Sequence, residues 1–344
     1  MKTLTTLLTG ALLLASTATQ ARILRVNNVA VLATACADCH QSLPSAISAA
    51  LDGDTIHLEP SDANYGDATI TKRLVIIGAG YKLGPTAPNN PGLQANSQSS
   101  RVNLLTLNNI NSSGTALLGL HFVNAGGGLN ISNTANIEVR RCIFESLGIN
   151  FPNGTGVSVS NILIAENFIG SGGINEEIGT QTINGLTIRN NLITGALALV
   201  EAADVITNLS VLNNTFLYNG NHQMKNAEIA RNVFYQGNIT GTNNTIHDNI
   251  SAVALAGGDA SNAVVNMANV YNLTVGTDDS KYDILASSPY NENGASPRGA
   301  FSGASPYRLS GIPPIPAIYQ LQSTVETTPG GGPVQVTLST RSNP

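Results

Sequence analysis

Three observations predict an all-β chain wound as a parallel β-helix. A nine-residue pattern recurs through the middle of the sequence, each copy alternates as a strand does, and no helical crossover separates one copy from the next. The copies are NIEVRRCIF (136–144), NILIAENFI (161–169), GLTIRNNLI (185–193), NLSVLNNTF (208–216), NAEIARNVF (226–234) and NTIHDNIS (244–251), with LLGLHFV (117–123) as a looser early one. Apolar residues stand two apart, as in Ile137/Val139, Ile162/Ile164, Leu186/Ile188, Leu209/Val211 and Ala227/Ile229, so one face of each strand points inward. One column holds Phe122, Cys142, Asn167, Asn191, Asn214, Asn232 and Asn249, at separations of 20, 25, 24, 23, 18 and 17. Asn at a turn tolerates unusual φ and can bond both to backbone and to the Asn of the next coil, so a ladder is expected. Such a ladder satisfies turn groups that burial would otherwise leave unpaired.

At about 4.8 Å per coil, roughly nine or ten coils make a rod some 45 Å long. The wandering period predicts longer loops within 145–160, 170–183 and 194–206. Any binding surface is expected on those loops.

From the start of the chain, residues 1–21 read as an export signal: Lys2, an apolar run from Leu7 to Ala15, then small residues through Ala18 to Ala21. The run is too short to span a membrane, and a secreted, cell-surface or periplasmic protein is expected. SLPSAISAALDGDTIHLEP (42–60) supplies a lid for the first coil, since an open β-helix end exposes core and strand edges. Ser42 caps this helix, Ala46, Ile47, Ala50 and Leu51 form its apolar face, Gly53 stops it, and a strand follows at Ile56 to Leu58. YGDATITKRLVIIGAGY (65–81) reads as an alternating strand ending in a glycine turn. IPAIYQLQSTV (315–325) and PVQVTLSTR (333–341), separated by TTPGGG, read as a terminal hairpin. It either covers the far end of the rod or serves as a small oligomerisation or attachment element. The expected division is signal 1–21, N-terminal strand and capping helix 22–60, β-helix 61–290, and C-terminal extension with hairpin 291–344.

Composition narrows the partners. Charged residues are 11% of the 344, against about 25% in ordinary globular proteins, and there are 34 Gly and no Trp. The net charge of −5 comes without a basic run, which argues against nucleic acid or anionic membrane. A neutral polar partner such as an extracellular polysaccharide, or no partner, fits better.

RVNN (25–28), AISAALDGDTIHLEPSDANYGDATITKRLVIIGAGY (46–81), ASSPY (286–290), GAF (299–301) and SPYRLSGIPPIPAIY (305–319) together resemble secreted β-helix proteins of the pectate-lyase-like superfamily. More narrowly the chain is similar to an uncharacterised secreted group of Bacteroidetes type. The resemblance covers nearly all of the chain after the signal and implies a right-handed parallel β-helix, without implying a reaction.

CADCH (36–40) matches the C-x-x-C-H attachment signature of a c-type haem, with His40 as ligand. Nothing around it forms a helical module to enclose a porphyrin. A Cys36–Cys39 disulfide or free dithiol in an exported loop is the expectation, and no cofactor. Cys142 is expected to be a small buried hydrophobe.

Glycan chemistry needs either a base and a cation for β-elimination or two opposed carboxylates for hydrolysis. The acidic candidates are Glu145, Glu166, Glu176, Glu177 and Glu201, and the basic ones Arg140, Arg141, Arg189, His222, Lys225 and Arg231. The best constellation takes Glu176 and Glu177 from one long loop and His222 and Lys225 from the next but one, within roughly 10 Å at coil spacing. No Asp/Glu cluster marks a calcium site, and Asp52-Gly53-Asp54 and Asp278-Asp279 are explained by turns. The expected role is structural or glycan-contacting without an evident catalytic centre. The alternative is a polysaccharide lyase or another carbohydrate-active enzyme.

Overall fold

The computed structural model describes residues 21–86, 89–123, 126–154, 156–201, 204–325 and 334–343. The expected export signal, apart from Ala21, and the TTPGGG segment lie outside the described residues.

The chain is a right-handed parallel β-helix built from three parallel sheets of 12, 8 and 9 strands. One coil runs from Val157–Ala165 in the 12-stranded sheet to Phe168–Ile169 in the 9-stranded sheet. It continues to Ile174–Glu176 in the 8-stranded sheet, then to Gln181–Arg189, which pairs in parallel with Val157–Ala165. The repeat fixes the register. Leu24, Ile56, Ile76, Leu117, Val139, Ile164, Ile188, Val211, Ile229 and Ile246 are successive partners, and all are buried. An aromatic and aliphatic stack lines the 9-stranded sheet, where the Phe122 and Phe144 rings lie 4.3 Å apart and the Phe216 and Phe234 rings 4.7 Å apart. Like residues stack because each coil repeats the same inward positions one strand spacing further on.

The asparagine ladder is present, with two corrections. Phe122 pairs with Phe144, so Leu120 rather than Phe122 faces Cys142. At the other end the ladder gains Asn262, whose Oδ1 accepts from the Asn249 backbone N–H at 3.0 Å. The unusual φ belongs to the residue before each ladder position. Arg141, Glu166, Asn190, Asn213, Arg231 and Asp248 have φ of 53° to 59°. That residue makes the bend, which turns the following amide side chain back into the coil. A second column of left-handed residues, Asn136, Asn161, Gly185, Asn208, Asn226 and Asn243, bends the 12-stranded sheet.

The lid helix runs Leu43–Ala49, with Ser42 Oγ accepting from the Ser45 backbone N–H at 3.3 Å. It ends before Leu51, which is 52% exposed, and buries Leu43 instead. A strand at Ile23–Val26 precedes it and pairs with Thr55–Leu58. Residues 65–81 hold two strands in different sheets, Ala68–Thr69 and Val75–Ile77, because one coil corner falls between them. Cys36 and Cys39 form a disulfide with Cα atoms 5.1 Å apart, and Cys142 is a buried free thiol. The expected longer loops at 145–160, 170–183 and 194–206 are each interrupted by a short strand of the 8-stranded sheet: Ile149–Phe151, Ile174–Glu176 and Leu197–Leu199.

After Ala263–Val264 the chain reverses and runs back along the outside of the rod. Met267, Val270, Tyr271 and Ile284 pack on Val233 and Ile250; further on, Ala300 and Tyr307 pack with Tyr81 on Ile143, Phe168 and Leu192. Polar ties follow the same direction: Gly299 N–H to Arg231 O, Asn190 Nδ2 to Ser302 O at 2.7 Å, and Arg141 Nη1 to Ile312 O at 3.0 Å. This strap carries the terminal hairpin, Ala317–Val325 with Val334–Arg341, to the early coils. There Ala95 N–H donates to Ile318 O and Arg341 Nη2 to Leu93 O. The hairpin therefore does not cover the far end. That end is closed by the turn after Ser251, where Leu255 enters the core and Gly258 bridges Ile246. No helix among the described residues is long and apolar enough to cross a membrane.

Candidate functional site

The four groups expected to form a site are not gathered on an open surface. His222 points into the coil, fully buried, with its ring 4.5 Å from that of Phe216. Its Nδ1 accepts from the Leu197 N–H at 3.3 Å, and burial pushes its pKa down to about 4. Lys225 is buried as well, its ammonium donating to the carbonyls of Glu201 and Asp204. Glu176 turns inward to accept from the Glu201 N–H, and burial, reinforced by neighbouring Asp204, raises its pKa to about 7. Gln181 donates to Asp204 at the same corner. Glu176 and Lys225 thus share an interior polar corner that holds the turn together, while Glu177 stands in solvent. Alternation decides this: an even-numbered step along Asn221–Met224 places His222 and Met224 on the inner face.

Glu166 and the turn aspartates are also engaged by the protein. Glu166 is buried between Arg141, whose Nε donates at 2.7 Å, and Arg140. Asp54 accepts from the Arg22 and Leu51 N–H groups, and Asp279, fully buried, accepts from Ser310 N–H, Asn90 and Tyr307. Among the described residues no three His, Cys, Asp or Glu side chains gather where they could hold a metal ion.

A different constellation stands open to solvent at the first rungs of the 9-stranded sheet. Arg101 and His121 are register partners at outward positions, their neighbours Val102 and Phe122 facing the core. His121 pairs in turn with Ile143, which places Glu145 just past the end of the adjacent strand. The segment leading into Arg101 brings Ser99, and the strap brings Asp278 against Lys82. These residues line a cleft of about 550 Å³.

Within it, Ser99 Oγ lies 2.8 Å from His121 Nδ1, and His121 Nε2 lies 2.9 Å from Glu145 Oε1. An ionised carboxylate only accepts, so Nε2 carries the ring proton and Nδ1 is free to accept from the Ser99 hydroxyl. The hydrogen bond from His121 holds the Glu145 carboxyl below the usual range against the opposing effect of burial, helped by the charges of Arg101 and Lys82. Lys82 has φ of 51°, and its ammonium sits 4.5 Å from the Phe168 ring centroid. Arg101 Nε is buried and has no hydrogen-bond partner among the described residues. A second hollow, about 600 Å³, lies between residues 94–98 and the start of the hairpin; it is mainly apolar, with His57 at its edge.

Of this cleft, Glu145 is among the residues the sequence marks, while Ser99, His121, Arg101 and Lys82 are not. A signal existed. In the outward column Arg101, His121, Ile143, Phe168, Leu192, Thr215, Val233 and Ile250, only the first two can be charged.

Comparison with family models, with curated proteins and with solved structures returned no match for this chain.

Proposed function

We propose that this chain is an exported, glycan-contacting β-helix protein of the pectate-lyase-like kind, and that it meets its polysaccharide at the Arg101–His121–Glu145 cleft. The observation that carries this reading is the convergence of two cations, an imidazole and the carboxylates of Asp62, Glu145 and Asp278 on one open face of an otherwise weakly charged rod. Long regular rods present grooves along which an extended polymer can lie. Arg101 suits the carboxylates of an acidic glycan, offering a planar fork to such groups, and Lys82 stands beside it already paired with Asp278.

Affinity electrophoresis of the full chain in gels containing polygalacturonate, alginate or a neutral glucan tests this. Retardation by the acidic polymers, relieved by Arg101→Ala or Lys82→Ala, is expected. Mobility unchanged in every gel would refute the reading.

A further inference from the structure

We propose that Ser99, His121 and Glu145 form a nucleophile, base and carboxylate relay that hydrolyses a short-chain carboxylic ester carried by the glycan. This rests on the reading of the cleft as the glycan contact, and adds a reaction to it.

The relay follows from who can donate to whom. Glu145 accepts from Nε2–H and so orients the imidazole and supports its positive charge; Nδ1 faces Ser99 Oγ at hydrogen-bond distance. The ring uses its two nitrogens in the opposite sense to that of the Ser-His-Asp proteases, but the roles depend on geometry and not on which nitrogen fills them. His121 cannot easily swing away, since its side chain is only 13% exposed and its backbone is fixed between two strands.

In the forward step Ser99 Oγ bonds to the acyl carbon and its proton passes to His121 Nδ1. The bond from that carbon to the sugar oxygen then breaks, the sugar oxygen takes the proton from His121, and the acyl group remains on Ser99. Water next attacks the acyl carbon, giving a proton to His121. The C–Oγ bond breaks, the carboxylic acid leaves, and Ser99 recovers its proton. No oxidant, metal or second substrate besides water is required. The oxyanion that forms on the acyl oxygen in both halves is negative, and Arg101 and Lys82 line the same cleft. A cleft of about 550 Å³ falls within the span usual for small-ligand sites, about 300–1,000 Å³, so it can take a sugar ring with a small acyl group.

The test uses the full chain with p-nitrophenyl acetate and with acetylated alginate, reading p-nitrophenolate and free acetate, alongside gel retardation by alginate. Expected are turnover with both esters, loss of about 10³-fold or more in Ser99→Ala, a smaller loss in Glu145→Gln, and retained retardation by alginate in Ser99→Ala. A fluorophosphonate should label wild type on Ser99, located by peptide mass, and leave Ser99→Ala unlabelled. Retardation by alginate with neither ester turnover nor label would overturn the relay and leave the glycan contact standing. Turnover and label without retardation would uphold the relay and refute the glycan contact. Turnover unchanged in Ser99→Ala, or release of unsaturated uronate ends in place of acetate, would also overturn the relay.

Discussion

Asn214 Nδ2 donates to Asn232 Oδ1 at 3.1 Å, while Asn214 Oδ1 accepts from Asn191 Nδ2 at 2.9 Å and from the Asn191 backbone N–H at 3.0 Å. One side chain thus links three coils, and it also donates to the Ile188 and Leu212 carbonyls. Asn214→Leu keeps the branched shape, though not the smaller volume, and removes every one of these bonds in a fully buried corner. A loss of about 2 to 3 kcal/mol in chemical denaturation is expected, from donors and acceptors left unpaired. A neutral result would mean that the corner is solvated.

His222 gives an acid limb to stability. Its native pKa, about 4, lies below its ordinary 6.5, so between these values the unfolded chain binds the extra proton. Stability from this group is complete above about pH 6.5 and is lost as pH falls towards 4, by about 3 kcal/mol. In His222→Leu, melting temperature should fall less between pH 6.5 and 4 than in wild type. Parallel curves would place the imidazole in contact with water.

Glu176 acts in the opposite direction. Its native pKa, about 7, lies above the ordinary 4.5, so the native state holds the extra proton within that window. Stability therefore declines as pH rises from 4.5 to 7. Glu176→Gln keeps an acceptor for the Glu201 N–H and removes the titration. It should raise stability at pH 8 by about 1 kcal/mol, allowing for solvent screening at a coil corner, and leave it nearly unchanged at pH 4. Equal effects at both values would refute this.

The strap is held where it crosses Arg141. Gly311 has φ of 54°, and a Cβ there would meet Arg141 O at 2.1 Å, which is backbone and cannot move aside cheaply. Gly311→Ala should loosen the strap locally, costing about 1 to 3 kcal/mol. Limited proteolysis is expected to cut within 285–312 faster than in wild type, with the coils still intact. An unchanged digestion pattern would show that the strap is fastened elsewhere.

The coils were legible in the sequence because the register of a β-helix is written locally. The same alternation, bend and amide recur each time the chain completes a turn, as Ile164, Glu166 and Asn167 are followed by Ile188, Asn190 and Asn191. The lid helix was legible for the same reason, through its cap at Ser42. The strap left a trace that alternation alone does not explain. Ile143-Phe144, Phe168-Ile169 and Val233-Phe234 are apolar on both faces, and a strand apolar on both faces must be covered on both. What covers them lies far along the chain, at Tyr307 and Met267, and no local pattern names a partner at that separation.

The cleft depended on tertiary structure still more. Ser99, His121 and Glu145 are each about one coil apart in sequence, yet nothing in their spacing distinguishes them from other polar residues on the outer surface. Only the closing of successive coils brings the three side chains within hydrogen-bond distance. The return of the strap then places Asp278 against Lys82 at the rim. The alternation of Asn221–Met224 settled the opposite fate of His222: a two-residue period fixes which face a side chain takes, but which face is core becomes definite only when the sheet closes on itself.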